Sequence, residues 1–302
     1  MNSSIQIMNS DLLCENHPLY KKIIDEKPIW WELVNKDKDF YIEIRKDNII
    51  DVYYRGGRVA QISVKKNQFK ATAHPKYTDD NVTKDNPKFY RKSKSKDGIT
   101  YTAIYQDCMN LISTEDGLAI MKERIKNHYA TEDADDVENT SEKSIQGKLI
   151  VENRHIYLDS EFAYKLLAQP RSRKTVRFDL VKIEDGKLVF VELKRFWDNR
   201  MRTSEGDPEI IEQMTNYAKF IEKNKCVLQS YYKTLYKIKE KLGLAVPQID
   251  NIEKLSLDPN PQLLVAMCHE DSKHGINAKR DREEYIKTKL GTINIEPQFL
   301  NI

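Results

Sequence analysis

The stretch from Val176 to Arg195, VRFDLVKIEDGKLVFVELKR, constrains this chain more than any other. Two apolar-rich, β-branched runs flank Asp185-Gly186, and Asp-Gly between strand-like runs is a strong signal for a two-residue hairpin turn. With the turn on those residues, Glu184 stands opposite Lys187, and counting outward sets Asp179 against Glu192, Phe178 against Leu193 and Arg177 against Lys194. Opposed residues share a face. One face is therefore expected to carry Phe178, Leu180, Val191 and Leu193 as a core surface. The other carries two carboxylates directly across from each other, with Lys194 one pleat beyond. Like charges so placed cost a sheet up to about 1 kcal/mol, which a bound cation would relieve. A solvated face bridged by the lysine would account for the charges alone. The apolar approach Leu188-Val189-Phe190-Val191 argues instead for a buried strand that delivers them to a functional site.

The 302 residues, 39% hydrophobic and 32% charged, suit a globular protein long enough for two domains. No apolar run approaches the roughly 20 residues that span a bilayer, and the N-terminus lacks a basic start, so no membrane contact and a cytoplasmic location are expected. Cys14, Cys108, Cys226 and Cys268 stand far apart, which argues against a zinc ribbon or disulfide framework and for reduced thiols. His269, Glu270, Asp271 and His274 match no standard metal spacing. No P-loop pattern occurs. A net charge of +3 is too small for whole-molecule attraction to nucleic acid, so any such binding must come from local patches.

Along the chain, residues 16–35 read as an amphipathic stretch interrupted by Pro28, a short helix and then an entry into the first strand. Four strand-like runs, 40–45, 48–54, 58–64 and 68–74, follow as an antiparallel meander. Residues 75–98 form a polar segment, a solvated loop or a phosphate-contacting arm. In it Lys88, Arg91, Lys92, Lys94 and Lys96 surround Phe89 and Tyr90, aromatics suited to stacking on bases. Helical periodicity runs from Tyr105 to Tyr129 with a break near Thr114 and Gly117. The acidic segment 131–140 marks the expected boundary between an N-terminal α+β module, 1–135, and a second domain, 136–302.

Thr140 or Ser141 can cap the next helix, with Glu142 in its first turn and Gln146 one turn on. The segment 155–168 supplies a first strand, and a basic connection bearing Arg171, Arg173 and Lys174 leads into the central hairpin. After it, RFWDNRMRTSEG offers Arg200 and Arg202 for phosphate contact, and Trp197 for stacking or core. Asp207-Pro208 starts a helix, Asp as cap, whose buried stripe runs through Ile210, Met214 and Ile221. Gln213 and Tyr217, four apart, are neighbours beside it. A further helix covers about 227–242, and Leu263–Met267 is expected to close the sheet as its last strand.

Asp179, then Glu192-Leu193-Lys194, resembles the D…(D/E)-x-K core of the PD-(D/E)XK nuclease superfamily, with Phe178 in the place of the proline of that name. Gln213-x-x-x-Tyr217, in order after it, is similar to the Q-x-x-x-Y pair of RecB-type members. The resemblance covers about residues 140–270. It implies an α/β fold, an αβββαβ restriction-endonuclease-like core of mixed sheet flanked by helices. It also implies Mg²⁺, with Mn²⁺ able to substitute, held by Asp179, Glu192 and the carbonyl of Leu193. In the family a glutamate on the helix before the first strand completes the site. Glu142 is the candidate, with Glu138, Glu152 and Glu161 as alternatives. Lys194 would orient the nucleophile or stabilise developing charge, and Gln213 and Tyr217 would position these groups. The implied activity is phosphodiester hydrolysis in nucleic acid, DNA favoured, as an endonuclease. Two alternatives stand beside it: a binding or scaffolding protein of this fold without catalysis, and an RNA-directed nuclease. The N-terminal module is left for a homodimer contact or a partner protein.

Overall fold

The computed structural model describes residues 13–95, 98–129, 141–165, 175–267 and 275–302. The amphipathic stretch is two helices, α1 (Pro18–Glu26) and α2 (Ile29–Lys36), because Lys27 turns left-handed at φ 43° just before Pro28, and α2 takes the place of the expected strand entry. The expected meander follows as β1 (Phe40–Arg45), β2 (Ile49–Tyr54), β3 (Gly57–Lys65) and β4 (Gln68–Ala73). Arg55-Gly56 and Lys66-Asn67 all have positive φ, as tight hairpin turns require. After α3 (Pro75–Thr78), the basic segment is not a loop throughout. Its end is strand β5 (Tyr90–Ser95), paired with β6 (Gly98–Ala103) as a separate two-stranded ribbon. Phe89 and Tyr90 are only 2% and 7% exposed, which withdraws them from base stacking. Strand β7 (Gln106–Asp107) joins the meander beside β4, and α4 (Met109–Ile112) and α5 (Glu115–Tyr129) are separated at Thr114. The acidic segment 131–140 lies outside the described residues.

The second half runs α6 (Glu142–Glu152), β8 (Tyr157–Lys165), β9 (Thr175–Glu184), β10 (Lys187–Arg195), α7 (Glu209–Lys223) and α8 (Lys225–Lys241). It continues with β11 (Ser256–Leu257), β12 (Gln262–Met267), α9 (Ile276–Gly291) and β13 (Gln298–Asn301). Its sheet has the order β13-β12-β10-β9-β8, with β11 beside β10. The pairs β8–β9 and β9–β10 are antiparallel, while β12 runs parallel to both β10 and β13. The fold is thus mixed α/β, with antiparallel sheets and one mixed sheet flanked by helices. Two expectations need correction. Residues 263–267 do not close the sheet, because the tail supplies β13 beyond them. Helix α7 takes Pro208 as its N-cap, while Asp207 pairs with Lys289 at 2.9 Å.

Central strand β10 is buried on both faces, as its unbroken apolar run demands. Phe190 packs toward α7 and α8 in the larger core, and Val189, Val191 and Leu193 pack toward Ile145 and Leu149 of α6. The same side receives Tyr41 and Tyr53 of the N-terminal sheet, stacked 5.0 Å apart. Gly56 makes that contact close. A Cβ there would lie 2.3 Å from the Lys143 carbonyl oxygen, and one on Gly147 would lie 2.7 Å from the Gly56 nitrogen. Both glycines are needed for the β2–β3 turn to sit on the first turns of α6. Among the described residues no helix is long and apolar enough to cross a membrane, and Cys14, Cys108 and Cys226 are free thiols.

Candidate active site

The central hairpin turns at Asp185 and Gly186, φ 50° and 70°. Its register is the expected one from Glu184↔Lys187 to Leu180↔Val191. There the ladder stops, one pair short of Asp179 and Glu192. Asp179 replaces it with its side chain, Oδ2 accepting from the Leu193 backbone N–H at 2.9 Å. Across β8, Glu161 takes φ 49° between the paired Ser160 and Phe162. The alternation of β9 breaks at this point. Leu180 packs with Val191 and Leu193 as expected, but Phe178 turns to the opposite core, 4.5 Å from both the Phe190 and Tyr217 rings. The expected face is corrected by that one residue, and the irregularity aims Asp179 at the end of β10.

Lys194 is 1% exposed, and its ammonium is the centre of the site. It contacts Glu192 Oε1, lies 4.0 Å from Asp179 Oδ2 and 3.9 Å from Glu142 Oε1, and donates to the Leu193 carbonyl at 3.0 Å. Ser141 caps α6 by accepting from the Ser144 N–H, and this places Glu142 in the first turn, facing the pair. One turn on, buried Gln146 donates to the Asp179 carbonyl. From α7, Gln213 donates to Glu192 Oε1 at 2.6 Å and to the Tyr217 hydroxyl at 2.8 Å, and Tyr217 donates to the Arg177 carbonyl. Both members of the i, i+4 pair therefore brace the acids.

Three carboxylates around one ammonium leave an excess of negative charge out of water. Burial first, then the charge of Asp179, pushes the Glu192 carboxyl up to about 8, against the pull of Lys194 and Gln213. Burial likewise raises Asp179, opposed by Lys194 and the Leu193 N–H, and it raises Glu142. Among the described residues no donor reaches the buried Glu192 Oε2.

A cavity of about 230 Å³ opens on this cluster. Arg200 stands on its wall, bound to Asp198 at 2.9 Å and 3.6 Å from Glu142 Oε2. Lys143, Glu161 and Arg177 also line it. Lys143 and Arg177 were passed over as site residues by sequence reasoning, although each is next to or two away from an acid already singled out. Glu161, an alternative to Glu142, is paired with Lys143 at 3.3 Å. Glu152 closes α6 at its far end and does not line the cavity, and Glu138 lies outside the described residues. Arg202 sits 5.7 Å from the Tyr285 ring and is not part of the cavity wall. Trp197 packs against the core, 4.8 Å from the Arg282 guanidinium. Arg171, Arg173, Lys174, His269 and His274 lie outside the described residues.

Among the described residues, no group of three or more His, Cys, Asp or Glu is arranged to hold a metal ion. The acids here surround an ammonium. Asp179, Glu192, Glu142 and the Leu193 carbonyl nevertheless form an all-oxygen donor set of the kind that hard divalent cations take, and the buried Glu192 Oε2 is a donor still available. By donor chemistry these oxygens suit such a cation, and in the present arrangement the Lys194 ammonium takes its place among them. Comparison with protein-family models, curated proteins and solved structures finds no match to this chain.

Proposed function

We propose that this chain is a cytoplasmic metal-dependent nuclease of the PD-(D/E)XK kind that hydrolyses phosphodiester bonds in nucleic acid, DNA in the first place, as an endonuclease. One observation carries the proposal. A buried lysine is enclosed by three carboxylates and a backbone carbonyl at a cavity, and one buried carboxylate oxygen receives no donor among the described residues. The element order α6, β8, β9, β10, α7, α8, β11, β12 supports the finer assignment to an αβββαβ restriction-endonuclease-like core, with α8 and the two-residue β11 as additions before the last strand.

Asp179, Glu192 and the Leu193 carbonyl would hold Mg²⁺, or Mn²⁺ in its place, with Glu142 acting either through the metal's water or as a further oxygen ligand. What the cation supplies when bound is a more acidic attacking water and neutralisation of charge on the phosphate. Glu142 faces the cavity with a raised pKa, which suits it to take a proton from the attacking water. Lys194 would orient the attacking water or stabilise the charge that develops on the phosphate. Gln213 and Tyr217 fix the rotamer of Glu192, and Gln146 fixes the backbone of Asp179. Arg200 offers a cation to a neighbouring phosphate.

The test is incubation of the purified chain and of Glu192→Gln with linear DNA, circular DNA and RNA, in Mg²⁺, Mn²⁺ or EDTA. Cleavage by the parent in metal, and none in EDTA or by the variant, is expected. Undiminished cleavage by Glu192→Gln would refute the assignment.

A further inference from the structure

The β5–β6 ribbon belongs to neither large sheet. Two strands alone are marginal in water unless something packs on them. This ribbon is instead braced at its root. Phe89 and Tyr90 are buried, the Ile104 N–H donates to the Phe89 carbonyl at 2.8 Å, and Gln106 donates to the carbonyls of Lys88 and Ile104.

Beyond the root it turns cationic on both faces. Its register puts Arg91 and Ser93 beside Thr102 and Thr100 on one face, and Lys92 and Lys94 beside Tyr101 and Ile99 on the other. Arg91, Lys92, Ser93 and Lys94 are exposed, as is Ile99. Nearby cations are neutralised, Lys88 by Asp79 at 3.3 Å and Arg124 by Asp80 at 2.7 Å. Arg91, Lys92 and Lys94 have no carboxylate partner among the described residues.

The root is also tied to the candidate active site. Tyr105, just past β6, lies 5.1 Å from the Arg58 guanidinium. Arg58 is two residues from Gly56, which rests on Lys143 at the cavity wall.

We propose that the β5–β6 ribbon docks in a groove of duplex nucleic acid, setting Arg91, Lys92 and Lys94 against its phosphates. A two-stranded ribbon is an element that the major groove of B-DNA admits. Entering the groove edge-on, the ribbon would turn Arg91 toward the phosphates of one wall and Lys92 and Lys94 toward those of the other. Binding of a single strand would call for an aromatic platform. Here Phe89 and Tyr90 are buried, and Tyr101 is engaged by Lys92 and by Asp85 at 3.2 Å. The choice of nucleic acid over another polyanion rests on the nuclease function proposed above.

The experiment compares the full chain with its R91Q/K92Q/K94Q variant in EDTA. Fluorescence anisotropy follows a labelled duplex of about 30 bp and its single strand over a salt series, with phosphatidylserine vesicles as a third probe. Three phosphate contacts correspond to a slope of log affinity against log salt shallower by up to about 2.7, and to a loss on the order of 100-fold at physiological salt. That result, with thermal unfolding unchanged, is expected for the duplex. Equal duplex affinity and slope in the variant would overturn the proposal, as would an effect confined to the single strand or the vesicles. If the parent binds duplex in EDTA and cuts it once Mg²⁺ is added, and the variant matches it in both, the ribbon assignment alone falls. If the parent neither binds duplex nor cuts it in Mg²⁺, the nuclease function falls with it.

Discussion

Replacing Glu192 by glutamine should stabilise the metal-free protein, increasingly so as the pH rises. Glu192 is 2% exposed, with one oxygen held by Lys194 and Gln213 and the other reached by no donor among the described residues. Its carboxyl is pushed from the ordinary 4.5 up to about 8, by burial first and by Asp179 second. In that window the folded protein keeps a proton that the unfolded chain has released, so stability is full below 4.5 and falls as pH rises toward 8. One proton over the window is worth about 1.4 kcal/mol per pH unit, which sets a ceiling of about 5 kcal/mol. Glutamine has nearly the same size and stays neutral, and its carbonyl can still accept from Lys194. Asp179, Glu142 and the Leu193 carbonyl remain around the ammonium. Urea unfolding in EDTA should give near-equal stabilities at about pH 5 and an advantage of roughly 2–4 kcal/mol to the variant at about pH 8.5. A variant less stable than the parent at every pH would refute the reasoning. It would mean that the ion pair with Lys194 outweighs the cost of burying Glu192.

Lys194→Met should lower cleavage at least about 100-fold while cation binding, read by calorimetry, is unchanged or tighter, because the competing ammonium is gone. Weaker cation binding would argue against a shared oxygen set. Tyr217→Phe should cost about 1–2 kcal/mol in urea unfolding as well as turnover, since its hydroxyl bridges the Arg177 carbonyl and Gln213 rather than standing free. Parental stability in that variant would deny the hydroxyl any bracing role.

The hairpin, its register and the order of the site residues were legible because each rests on local signals: Asp-Gly at a tight turn, an apolar run in β10, Ser141 before a helix, and a four-residue spacing on α7. The features that escaped depend on distant partners. Phe178 leaves its expected face because Asp179 bonds the Leu193 N–H where the ladder ends, which no alternation pattern encodes. Strand β13 forms from a tail with little strand character because the edge of β12 is available to it. The ribbon strand β5, Tyr90–Ser95, has no apolar alternation and so reads as loop. Gly56 reads as a turn residue, and so it is. Its second role, letting a backbone approach α6, is visible only once Lys143 and Gly147 are beside it.

The N-terminal sheet is expected to be indispensable to the site, because a buried ionic seam joins the two. Lys239 Nζ bonds Glu43 at 2.7 Å and the Leu158 carbonyl at 2.6 Å, and Arg45 bonds Asp159 at 2.9 Å and the Ser160 carbonyl. Ser160 and Tyr232 donate to Glu43 and Asp159 respectively. A fragment beginning at Asn139 loses Glu43 and Arg45. If Lys239 and Asp159 stayed shielded, Lys239 would be a buried charge without its partner, at about 3–5 kcal/mol, and Asp159, raised to about 7 by burial even beside Arg45, would be left protonated without the ion pair. If they reached water, Leu158 and Tyr232, both fully buried, would be uncovered with them, along with the side of α6 that packs on Tyr41 and Tyr53. Either route removes a large share of the roughly 5–15 kcal/mol by which a domain is stable. Fragment 139–302 should therefore lack a cooperative urea transition and near-ultraviolet circular dichroism, and should bind Mn²⁺ weakly or not at all. A fragment that unfolds cooperatively and binds Mn²⁺ like the full chain would show that the acids are held by the second half alone, leaving the seam to orient the N-terminal sheet rather than to build the site.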